Sequence, residues 1–147
     1  MIWPHMGLGR LVAPPKGHLR QIEAILRDPD FRNVYLDISW DGVVKYFVAS
    51  PDATKGLADL MPRYPDRFLF STDAAAPSDQ SKYLKALYQY EPLWKARDAE
   101  TSRKVRLRNY ERMFDEARGK VRMLGELHHD AGRVLAMQRE TPSISVR

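Results

Sequence analysis

The sequence predicts an α/β fold in which parallel strands alternate with helices. Three short apolar segments, residues 1–6, 33–39 and 67–72, are each followed by a stretch with helical spacing. The second and third run with little polar interruption until their ends, as strands covered on both faces do. The stretches between them are long enough for helical crossovers, which connect parallel strands in a right-handed sense.

Residues 1–6 read as a strand interrupted by Pro4, which places it near a strand end or a sheet edge. Gly7-Leu8-Gly9 then forms a loop. After Pro14-Pro15, residues 16–27 repeat Leu19, Ile22, Ile25 and Leu26 at helical spacing until Asp28-Pro29 stops the pattern. Residues 41–64 turn helical in two pieces parted at Ser50-Pro51. Ser50 is the expected cap and Pro51 the first helical residue, where proline has no N–H to lose. Pro65-Asp66 is a turn, and the third strand ends at Asp73. Residues 77–90 form a helix with Tyr83, Leu84, Leu87 and Tyr88 on its apolar side, and Pro92 breaks it. A last long helix covers residues 99–125 or beyond. There Leu107, Tyr110, Phe114, Ala117, Val121 and Leu124 make one apolar stripe. Residues 140–147 read as a disordered tail.

The chain has 147 residues, 44% of them hydrophobic and 29% charged. That suffices for one domain burying roughly 68–70% of its unfolded surface. A chain without cysteine has no disulfide framework, thiolate metal site or cysteine nucleophile. No apolar run approaches the ~20 residues of a membrane helix, and the start lacks a secretory signal, so a cytoplasmic location is expected. The net charge of +5 is local: residues 101–125 hold eight Lys and Arg against Glu111, Asp115 and Glu116, and the remainder is balanced. These cations surround the helix instead of forming one stripe, which argues against nucleic acid as a partner.

In parallel sheets ligands bind beyond the carboxyl ends of the strands. His5 with the loop to Arg10, Asp37 with Ser39, and Asp73 all fall there. A histidine and an aspartate at that edge suit a divalent metal, and can also activate a water and shuttle its proton. Each residue has a structural alternative. His5 could simply be solvated, Asp73 could cap a turn, and Asp37 could pair with a structural arginine. His128 and His129 point about 100° apart on a helix and cannot chelate together. No phosphate-binding, dinucleotide-binding, HExxH or GxSxG pattern occurs.

Four motifs in order resemble the C-terminal part of the amidohydrolase superfamily, in its branch of metal-dependent hydrolases and decarboxylases. Pro4-His5-Met6-Gly7-Leu8-Gly9-Arg10 is similar to the end of that family's sixth barrel strand. Residues 33–39 resemble its seventh strand, and Arg67-Phe68-Leu69-Phe70-Ser71-Thr72-Asp73 its eighth. Asn109-Tyr110-Glu111-Arg112-Met113-Phe114 resembles its closing helix.

The resemblance implies a partial (β/α)8 barrel over residues 1–117: the last three strand–helix units, followed by long C-terminal helices that include an extension over 118–139. The Leu107-to-Leu124 stripe would pack on the barrel exterior. It further implies that Asp73 is a metal ligand and water-orienting base. His5 would be a catalytic histidine, Arg10 would bind a substrate carboxylate, and a divalent ion, zinc in many relatives, would sit at the mouth. A whole barrel takes about 250 residues, and nothing here matches the first five strands or their His-x-His pair. The expectation is therefore a C-terminal fragment of a hydrolase or related decarboxylase for a small molecule, inactive by itself. The alternatives are an oligomer whose second chain completes the barrel, or a non-enzymatic module using the basic helix 101–125 on nucleic acid or an acidic protein.

Overall fold

The computed structural model describes residues 1–9, 13–74 and 78–139, with only the backbone over 126–139. It divides into two compact units, Met1–Tyr110 and Glu111–Arg147.

Unit 1 is built on three short strands, β1 (Ile2–Trp3), β2 (Tyr35–Asp37) and β3 (Phe68–Leu69). They pair in parallel in the order β1-β2-β3, with Trp3 beside Leu36 and Leu36 beside Phe68. Helix α1 (His18–Arg27) connects the first two strands. Helices α2 (Asp41–Phe47) and α3 (Pro51–Leu60) connect the second and third, and α4 (Gln80–Tyr88), α5 (Glu91–Lys95) and α6 (Ala99–Arg103) follow. A π-helical turn, Lys104–Arg108, leads into α7 (Asn109–Arg139).

The partial barrel expected from the sequence is not what the chain forms. The protein is 68% helical, and its sheet is a small three-stranded patch instead of three barrel units. Local chemistry shortens the strands. Pro4 opens a 3-10 turn, Pro4–Gly7, immediately after β1. Pro65 opens another, Pro65–Arg67, just before β3. Beyond β2 the Asp37 carboxylate accepts from the Ser39 amide, diverting the backbone from the ladder. Residues 33–39 and 67–72 therefore bury Val34, Leu36, Ile38, Phe68 and Leu69 without being long strands, whereas Met1 and Ile2 of the first run are exposed.

Helices supply most of the core. Ile22 and Leu26 of α1, Val43 and Phe47 of α2, Leu57 and Leu60 of α3, and Leu93 of α5 bury around Leu36, Ile38 and Phe68. Ser50 caps α3 by accepting from the Ala53 amide, with Pro51 in the first turn. Pro92 does not end a helix; it sits in the first turn of α5.

Burial also corrects the reading of the last helix. Thr101, Val105 and Asn109 are the buried residues of that region. The stripe expected to pack is exposed instead, with Leu107, Tyr110, Phe114, Val121 and Leu124 between 42% and 68% accessible. The basic segment 101–125 lies in one unbroken helical run, as its spacing predicts, passing from the end of α6 through the π-helical turn into α7. Lys104 there pairs with Asp66 at 3.1 Å.

Candidate functional site

The three strands end side by side, so the loops leaving them meet. Each carries a non-glycine residue with positive φ: His5 and Met6 after β1, Trp40 after β2, and Asp73 after β3. Such conformations cost of order 1–3 kcal/mol each and persist only where the surroundings impose them. Those surroundings are visible. His18 of α1 hydrogen-bonds the Met6 carbonyl through Nε2 at 2.9 Å and stacks on Phe47. The Tyr90 hydroxyl donates to the Trp40 carbonyl at 2.9 Å. Gly42 leaves room for the Trp40 ring: a Cβ there would lie 2.3 Å from Trp40 Cζ3.

These supports bring His5 and Asp73 together, with His5 Nε2 3.9 Å from Asp73 Oδ2. That is too long for a direct hydrogen bond. The histidine is 17% exposed and the aspartate 35%. The other ring nitrogen, Nδ1, lies 3.1 Å from Ser39 Oγ, and the ring rests against Trp40 at a centroid distance of 5.3 Å. Ser39 Oγ donates to Asp37 Oδ2, and Ser71 Oγ donates to Asp37 Oδ1 at 3.2 Å. Asp37 is thus satisfied by serines and a backbone amide, not by an arginine. Arg10 lies outside the described residues.

Asp73 lines a cleft of about 440 Å3 with Trp40, Tyr90, Lys82 and Lys85 among its walls. The Tyr90 phenol is pushed far above its ordinary 10.0, first by burial and then by the nearby charges of Asp37, Asp41 and Asp73. This has a measurable consequence. Above about pH 10 the unfolded chain releases the phenolic proton while the folded chain keeps it. Stability must therefore fall as pH rises, by up to ~1.4 kcal/mol per pH unit. Tyr90→Phe is expected to cost about 0.5–1.5 kcal/mol at neutral pH and to flatten that alkaline decline. Urea midpoints measured on both proteins from neutral to alkaline pH check it; equal alkaline slopes would remove Tyr90 as the cause.

Zinc takes four ligands in structural sites and three protein ligands in catalytic ones. Among the described residues no group of three or more His, Cys, Asp or Glu side chains could hold a metal. His5 and Asp73 are two donors, and Asp37 is occupied by its serines, so these residues do not fill a zinc shell.

Sequence position placed His5, Asp37, Ser39 and Asp73 at one edge of the sheet, and the structure brings these four side chains together. Trp40, Ser71, His18 and Tyr90 were missed as supports. Trp40 directly follows Ser39 and could have been included by place alone. His18 and Tyr90 sit on helices far away in the chain, and no local pattern marks them. No family model, no curated protein and no solved structure matches this chain. No helix among the described residues is long and apolar enough to cross a membrane.

Proposed function

We propose that this chain supplies the proton-handling half of a water-mediated hydrolytic site for a small molecule, of the kind used by the metal-dependent amidohydrolases that its motifs resemble. A related decarboxylation would use the same groups. The observation that supports this best is the chain of contacts Asp37–Ser39–His5–Asp73 across three strained loops.

The chemistry follows from counting protons. Ser39 has one hydroxyl proton, and it is engaged in the hydrogen bond donated to Asp37. The serine oxygen can then only accept, so His5 must present Nδ1–H to it. Neutral His5 keeps its lone pair on Nε2, on the side of Asp73. A water between these two groups would give its proton to Nε2 as its oxygen attacks a carbonyl carbon. Asp73 would orient that water and stabilise the imidazolium that forms. Lys82 and Lys85 in the cleft favour a substrate bearing a carboxylate.

Turnover requires more than these residues. A divalent ion at this site would take its remaining ligands from further chain, its own or a partner's, in a cytoplasmic assembly. Nitrogen-15 NMR of the histidine rings tests the base assignment: His5 should be the Nδ1–H tautomer, and Ser39→Ala should abolish that preference. An Nε2–H tautomer in the parent protein would refute the reading. Calorimetric titration with zinc addresses sufficiency. Weak or no binding is expected, and tight stoichiometric binding lost in Asp73→Ala would mean the chain is complete by itself.

A further inference from the structure

We propose that unit 1 also carries an anion pocket, separate from the His5–Asp73 site, that takes the phosphoryl group of a small molecule. The pocket is a cleft of about 660 Å3 at α5, α6 and the π-helical turn. Lys95, Arg97, Arg103 and Arg106 line it, and no carboxylate belongs to its walls. Its volume lies within the range of small-molecule sites, roughly 300–1,000 Å3.

Two polar atoms of residues that line the cleft carry the argument. Arg97 Nε and Ser102 Oγ are buried and have no hydrogen-bond partner among the described residues. Native proteins pair nearly all such groups, because a buried donor without an acceptor forfeits its hydration. Asp59 and Asp98 lie close enough to feel the Arg97 charge, but each nearby acid has a nearer partner. Asp98 accepts from the Thr101 amide at 2.7 Å, Asp59 holds Lys55 at 2.6 Å, and Glu91 lies 3.5 Å from Lys95. Arg106 is held over the Trp94 ring at 5.5 Å, which fixes one guanidinium and provides an apolar wall beside the charges.

The donor set matches a phosphoryl group better than a carboxylate. A phosphomonoester offers three terminal oxygens and nearly two negative charges, whereas a carboxylate offers two oxygens and one charge. Guanidinium forks bind phosphate oxygens in pairs, and the unpartnered Ser102 hydroxyl is a further neutral donor.

The test is titration of the full chain, followed by calorimetry, with phenyl phosphate, inorganic phosphate and benzoate. Phenyl phosphate is expected to bind at least about tenfold more tightly than benzoate, and Arg97→Met to weaken it by about tenfold or more. Arg97 is partly buried, so the exposed Arg103→Met provides an independent arm; it should weaken binding while leaving the urea midpoint unchanged. Arg27→Met, on α1, should change nothing. Benzoate binding as well as phenyl phosphate, an equal loss in Arg27→Met, or no loss in either pocket variant would overturn the proposal. So would preferential binding of a short DNA duplex, which would assign the charges to nucleic acid.

Discussion

Leu36→Ala is expected to lower the free energy of unfolding by roughly 2–5 kcal/mol, while Leu124→Ala stays within about 0.5 kcal/mol of the parent. The two leucines differ only in surroundings. Leu36 is in the middle strand, pairs with Trp3 on one side and Phe68 on the other, and is wholly buried. Its deletion leaves a cavity bounded by the sheet and its covering helices, with no flexible neighbour from solvent to fill it. Leu124 is 57% exposed on α7 and has little packing to lose. Urea denaturation followed by tryptophan fluorescence separates these outcomes. Comparable losses at both positions would mean that the apolar stripe of α7 is a packed face after all.

Asn109→Ala should be nearly as damaging despite removing a small polar group. The Asn109 side chain is buried, and its Nδ2 donates to the Pro65 carbonyl at 2.7 Å and to the Phe68 carbonyl at 2.9 Å. One amide thus joins the start of α7 to both ends of the turn that leads into β3. Without it two acceptors lose their donor, at a cost of roughly 1–3 kcal/mol for each buried group left unpaired. Asn109→Asp should be worse, since it directs a carboxylate oxygen at two carbonyl oxygens. That variant should regain stability as pH falls, because the protonated acid recovers one donor. If Asn109→Asp proved as stable as Asn109→Ala at neutral pH, the assignment of both hydrogen bonds to Nδ2 would fail.

The same residue shows how far sequence reasoning reached. Asn109 stands in a motif that resembles the closing helix of a known superfamily, yet its work is visible only against Pro65 and Phe68, more than forty positions earlier. Helix positions were legible where apolar spacing and stop signals agree, as for α1 and the Ser50-capped α3. Strand length was not. Residues 33–39 have the composition of a long buried strand, but Asp37 uses its carboxylate on Ser39 and ends the ladder early. The apolar stripe of α7 is a regular pattern whose described side chains are exposed. Periodicity reports which side chains share a helix face; it carries no information about whether another element covers that face.

By itself the sequence placed residues 5, 37–39 and 73 at one edge of the sheet. A polar residue ending an apolar run must emerge at the edge of a buried layer, and three such runs in parallel emerge together. It determined the absence of thiol chemistry and the local origin of the charge as well. Only the tertiary structure decided that the protein is a helical fold around a minimal sheet and not part of a barrel. Strand extent depends on which backbone groups find partners across the chain, and here turns and serine hydroxyls take them first. The tertiary structure also chose the neighbours of His5. Ser39 and Asp73 come from loops 34 and 68 residues away, and no local pattern around residue 5 announces either contact.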